Sequence, residues 1–220
     1  MLKADVFHRR ETTDTIISAS NYNIIIGLVL CWGFFVNWLL VVNIDPLMLR
    51  KINIWLFLLA YFASCFYGVY LFNKSSEPIV SFIGYNFVVV PFGLVVNMVV
   101  ARYNPEFVID AIKVTTLVTV TMMALGSAFP DFFKKIYGAL TVALLAVLVI
   151  ELFQIFILKI HQTWIDWAVA ILFCGYIGYD WGKANQIPKT LDNAVDSAAM
   201  LYMDIINLFL RILRIMGSRK

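Results

Sequence analysis

Long apolar blocks, each close to twenty residues and divided by short polar connectors, constrain this chain more than any other feature. A hydrocarbon layer about 30 Å thick is crossed by about 20 residues of helix at 1.5 Å per residue. Six stretches meet that length: residues 22–42, 53–72, 79–101, 107–128, 136–158 and 164–179. A seventh, residues 191–216, is long enough but carries Asp192, Asp196, Asp204, Asn207, Arg211 and Arg214. The runs are continuous rather than alternating, and backbone groups in lipid must be paired within the segment, so helices are expected rather than barrel strands. Composition closes the alternatives. Hydrophobic residues make up 62% of the 220 and charged residues 14%, against about 45–50% and about 25% in soluble domains. A chain of this size cannot enclose so much apolar surface in its own interior. The expected class is an all-α, multi-pass integral membrane protein, a bundle of seven transmembrane helices in a lipid bilayer. A soluble enzyme, a disordered tail and a secreted disulfide scaffold are excluded.

Punctuation agrees with these runs. Asp45-Pro46 marks a turn, Asn104-Pro105-Glu106 is a capped helix start, Phe129-Pro130-Asp131 parts two spans, and Pro91 predicts a kink inside the third. The connectors are short, which predicts antiparallel neighbours in one domain over residues 22–216. A polar, interfacial or mobile segment (1–21) is expected before it and a short tail (217–220) after it. The net charge of +3 comes from basic residues scattered between apolar runs, not from a stripe, so no nucleic-acid partner is expected. Basic residues divide almost evenly between the two sides and orient nothing. Cys31, Cys65 and Cys174 lie inside apolar runs and read as buried small hydrophobes rather than as a disulfide or zinc framework.

Ionisable groups at membrane depth are the candidates for function, because each costs about 2.5–3.5 kcal/mol or more at the centre of a span. Three carboxylates qualify: Glu151, Asp180 and Asp204. On a helical wheel Asn193, Asp196, Ser197, Asp204, Asn207, Arg211 and Arg214 fall within an arc of about 100°. A polar stripe of that length cannot face lipid. The seventh segment is therefore either an interior helix or one lying on the membrane surface. On it, Asn207 is near enough to orient Asp204 by hydrogen bond, whereas Arg211 is about 10 Å further along and must find another carboxylate, the opposite interface or phosphate head groups.

Two strings in this region carry a family resemblance. Gly175-Tyr176-Ile177-Gly178-Tyr179-Asp180 is followed, after a polar connector, by Leu201-Tyr202-Met203-Asp204-Ile205-Ile206-Asn207-Leu208-Phe209. Their order and spacing resemble the C-terminal signature of the transmembrane Bax inhibitor motif family, in its bacterial-type (Bax inhibitor-1-like) form. The resemblance implies seven helices with the last one central. It also implies a pH-sensitive calcium leak channel, described in eukaryotes as a suppressor of cell death. The proton-sharing pair that controls opening would be Asp180 and Asp204. The family arginine that engages the pair has Lys74 as its nearest counterpart here, and lysine cannot replace the guanidinium fork.

The chemistry of such a pair also stands on its own. Two carboxylates held together in a low-dielectric site cannot both ionise cheaply, so they share a proton and titrate as a unit. Deprotonated, they offer oxygen ligands of the kind a transient Ca²⁺ takes. Proton and cation then compete for one place, which is a means of pH gating. Glu151 has no place in the motif and reads as a structural partner of Arg211 or Arg214, with a second cation site as the other possibility. No enzymatic activity and no tightly bound cofactor are expected; Ca²⁺ is the permeant ion. An intramembrane aspartyl protease would also need two aspartates, but its second normally follows glycines and Asp204 does not. The serious alternative is a non-catalytic protein that binds and modulates another membrane protein, such as a membrane protease or a cell-death regulator. If the source is bacterial, the inner membrane is the expected location.

Overall fold

Four of the six prolines open a helix. Pro46, Pro78, Pro105 and Pro130 each stand in a first turn, where the missing N–H is no loss and the fixed φ already suits the helix. The computed structural model describes residues 15–159 and 162–218, apart from the side chains of residues 155 and 156. Among these residues every regular element is helical. In chain order they are α1 (Ala19–Asn43), α2 (Pro46–Arg50), α3 (Ile54–Lys74), α4 (Pro78–Val100), α5 (Pro105–Ala128), α6 (Pro130–Phe153), α7 (Thr163–Gln186) and α8 (Leu191–Gly217).

Side chains close the helix starts. Ser18 Oγ accepts from Asn21 N at 3.2 Å, Asn53 Oδ1 from Trp55 N at 2.9 Å, and Asn104 Oδ1 from Glu106 N at 3.2 Å. Thr190 Oγ1 does the same for Asn193 N at 3.1 Å, each satisfying a donor that the first helical turn leaves open.

Two expectations from the sequence need correction, and the span count is met in part. Among the described residues five helices, α1, α3, α4, α5 and α6, are long and apolar enough to cross a membrane; the other two expected spans fall on α7 and α8. The 24-residue α7 is long enough, but Asp166, Asp180 and Lys183, together with its glycines and tyrosines, dilute its apolar character. Asp45-Pro46 is not a simple turn, because Asp45 Oδ1 caps the short helix α2 through Leu47 N at 2.8 Å. The polar N-terminal segment is shorter than expected, since α1 already begins at Ala19; the reading of residues 1–14 lies outside the described residues. The end of α6 holds a feature with no sequence signal, a π-helical turn at Gln154–Leu158 closed by Lys159 in the left-handed region at φ 54°.

By packing, the chain divides into two compact units. The first holds the residues up to Arg102 together with Gln186–Tyr202; the second holds Tyr103–Asn185 together with Met203–Lys220. In the first, α4 packs against α1 and α3, and Tyr22, Tyr85 and Tyr202 are fully buried. Each phenol is satisfied. Tyr22 Oη lies 3.0 Å from Ser197 Oγ, Tyr85 Oη donates to the Val29 carbonyl at 3.1 Å, and Tyr202 Oη exchanges hydrogen bonds with the Asn37 amide at 2.8 and 3.0 Å. Asp192 accepts from Ser81 Oγ at 2.6 Å. Gly33 leaves the space that the Tyr85 hydroxyl fills, and a Cβ there would collide with it.

Pro91 lies within α4, which runs unbroken through it. A proline leaves the carbonyl four residues earlier without its helical donor, here that of Phe87. Ser64 Oγ of α3 supplies the missing hydrogen at 2.7 Å. The Asn97 amide closes the other open end by donating to the Leu40 and Ile44 carbonyls at 2.9 Å each. These are the substitutions for water that a backbone in lipid requires.

Candidate functional site

Asp180 and Asp204 meet. Both belong to the second unit, Asp180 late in α7 and Asp204 in the middle of α8. Their carboxyl groups lie within hydrogen-bonding reach of one another, and the residues are 8% and 7% exposed. A hydrogen bond between two carboxyls needs a proton on one of them. The other oxygen of Asp204, Oδ2, is buried without a hydrogen-bond partner, so the site holds an acceptor with spare capacity for a proton or a cation.

The local sequence explains how α7 presents Asp180. Gly178 and Gly182 flank it, and a Cβ on Gly126 of α5 would collide with the Gly178 carbonyl. Glycine on both helices is what lets their backbones approach this closely. Aromatic rings surround the neighbourhood. Tyr137 of α6 stacks on Tyr179 with ring centroids 4.0 Å apart and meets Tyr176 edge-on at 6.0 Å. Tyr176 donates from Oη to Thr141 Oγ1 at 3.2 Å and lies within electrostatic reach of both aspartates.

The other residues singled out from the sequence fall elsewhere. Asn207 Nδ2 donates to the Met203 carbonyl at 2.8 Å, so its amide serves its own helix rather than Asp204. This corrects the expectation of a bond to the aspartate; an amide four residues along a helix reaches the backbone carbonyl with little rearrangement. Lys74 stands exposed in the last turn of α3, where Nζ donates to Tyr70 Oη at 2.8 Å and lies over the Tyr70 ring. The cysteines also depart from the sequence reading: Cys31 is exposed, and Cys65 and Cys174 are half-buried.

Arg211 finds its carboxylate in Glu151. The guanidinium forks onto both Glu151 oxygens, Nη1 to Oε1 and Nη2 to Oε2, at 2.7 Å each. Nη1 also donates to Asp166 Oδ1 at 2.9 Å. Arg214 Nη1 stands further off, at 3.4 Å from Glu151 and 3.5 Å from Asp166. The Asp166 side chain is 1% exposed, that of Glu151 9% and that of Arg211 13%. Asp166 is the member that sequence reasoning missed. An acid in a first helical turn usually reads as a favourable helix start, and only its setting between Trp164 and Trp167, in a chain with two arginines seeking partners, could have marked it.

Long apolar helices and a buried carboxyl pair define the class first: this is an all-helical, multi-pass integral membrane protein. A family profile described as "Inhibitor of apoptosis-promoting Bax1" matches residues 17–220, and the chain belongs to that Bax inhibitor-1-like family. An uncharacterised protein of Helicobacter pylori is 31% identical over 170 residues, covering 74% of this chain and 71% of that protein. Bax inhibitor 1 of Schizosaccharomyces pombe is 31% identical over 130 residues, covering 57% of this chain and 47% of its own length. LIFEGUARD 3 of Arabidopsis thaliana is 30% identical over 132 residues, with 56% and 52% covered. The match therefore spans about half the length of these two eukaryotic relatives.

Proposed function

We propose that this chain is a pH-sensitive cation leak channel, passing Ca²⁺, in which protonation of Asp180 and Asp204 controls opening. In this reading α7 and α8 are the sixth and seventh spans and α8 is the central helix. The protein is not an enzyme, holds no tight cofactor, and has the lipid bilayer, protons and Ca²⁺ as its partners, in the inner membrane if its source is bacterial. The observation that carries the reading is the close approach of the two buried carboxyls, with Asp204 Oδ2 left over. A proton holds that contact closed, while its loss places like charges side by side and leaves oxygens that suit a hard cation. Burial of α8 supports the central position, since Leu191 is its one exposed residue in a 27-residue helix.

Purified protein in liposomes loaded with a calcium indicator tests this directly. The wild type should pass Ca²⁺ at a rate that changes with pH. Asp180→Asn and Asp204→Asn should each flatten that dependence, because each removes one member of the coupled titration. Wild-type pH profiles in both variants would defeat the gate. Absence of flux from the pure wild-type protein would favour a modulator of another membrane protein instead.

A further inference from the structure

Helix α8 touches α7 at two heights. Asp204 meets Asp180, and Arg211 meets Asp166 while forking onto Glu151 of α6. The two α8 residues are seven positions, about two turns, apart and about 20° from one another on the wheel, so one face of the helix makes both contacts. The contacts differ in kind. A carboxyl pair gains and loses its shared proton with pH, whereas a guanidinium keeps its charge throughout. A helix held at two points on one face neither turns about its axis nor slides along its neighbour. Held only at the permanent point, it pivots there and can return to the same register.

We propose that Arg211, Glu151 and Asp166 form a fixed anchor that sets the rotation and height of α8 and thereby positions Asp204 against Asp180. Arg214, 34% exposed at its side chain, balances the cluster at two positive and two negative charges. This rests on the reading of the pair as the pH sensor and adds three positioning residues to it. Asp180 and Tyr176 of α7 face Asp204. Behind Tyr176 stand Tyr137 and Thr141 of α6, and Lys183 lies over the Tyr179 ring. Arg211 is about two turns along α8 from Asp204, so the anchor acts through the placement of the helix.

The test reads protonation of the pair directly, by infrared spectroscopy of the full chain in lipid. The pair's signal is the protonated-carboxyl band that titrates in the wild type and vanishes in Asp204→Asn. Two variants probe the anchor. Arg211→Lys keeps the charge and loses the fork. Glu151→Gln combined with Arg211→Gln removes one opposite-charge pair and keeps the balance, which guards against a misfolded single variant. Both should retain wild-type helix content and displace the band's midpoint by about one pH unit, a tenfold change in proton affinity. Unchanged midpoints in both would overturn the anchor. A shift in the double variant with none in Arg211→Lys would overturn it too, since Arg211 would then act by charge alone. If no titrating band is lost in Asp204→Asn, the pair is not the sensor and the anchor falls with it. Calcium flux in the same liposomes keeps the two ideas apart: displaced midpoints without wild-type flux would leave the anchor standing and remove the channel.

Discussion

A carboxylate is only as comfortable in an apolar setting as the partners it keeps, and two residues of this chain make the contrast testable. Glu151 gives both oxygens to Arg211, so Glu151→Leu strands a buried guanidinium that Asp166 alone must serve. Loss of one partner from a buried ion pair costs about 3–5 kcal/mol, and thermal unfolding in detergent should report a large drop in stability. Asn207 is the opposite case. Its amide returns to the Met203 carbonyl of its own helix, so Asn207→Leu should cost no more than about 1 kcal/mol and leave the pH profile of flux where it was. A displaced profile would mean that the amide reaches Asp204 during opening. Asp180 and Asp204 were visible in the sequence because ionisable groups are conspicuous in apolar runs. Asp166 was not, since nothing in one dimension separates an acid that starts a helix from one that receives an arginine 45 positions further along the chain by folding.

At the scale of an element, the helices of this chain are recognisable by what ends them. Apolar runs and prolines placed most boundaries within a few residues, because both act locally. Helix α2 and the π-turn of Gln154–Leu158 escaped notice, the first because five residues carry no periodicity and the second because no residue type marks it. The repair of α4 at Pro91 also joins two elements and is silent in the sequence. Ser64→Ala should leave the Phe87 carbonyl unpaired, at a cost of about 1–3 kcal/mol. In a Pro91→Ala background that cost should shrink, because a backbone N–H returns to the same carbonyl; equal costs in both backgrounds would show that Ser64 matters for another reason. Gly33→Ala should lower stability by about 1–3 kcal/mol, the price of overpacking against the Tyr85 hydroxyl, and Tyr85→Phe should recover part of it.

At the scale of the molecule, many large apolar side chains among the described residues face outward. Leu28, Trp32, Phe35 and Trp38 of α1 are 65%, 43%, 48% and 56% exposed, and Cys31 lies among them. A nitroxide on Cys31, in a chain with Cys65→Ala and Cys174→Ala, should be relaxed more by dissolved oxygen than by a charged nickel chelate, because oxygen concentrates in hydrocarbon. The reverse would place this face against water. Helix α8 inverts that pattern, with Asp192, Asp196 and Asp204 buried and Arg211 turned onto Glu151 and Asp166. That inversion bears on how the protein is made. A segment leaving the ribosome is released into lipid when its own hydrophobicity suffices, and each such charge near the centre of a span opposes release by about 2.5–3.5 kcal/mol. In the proposed arrangement α8 enters the membrane with carboxylates of α6 and α7 as its partners, Glu151 and Asp166 for Arg211 and Asp180 for Asp204, so its insertion follows theirs.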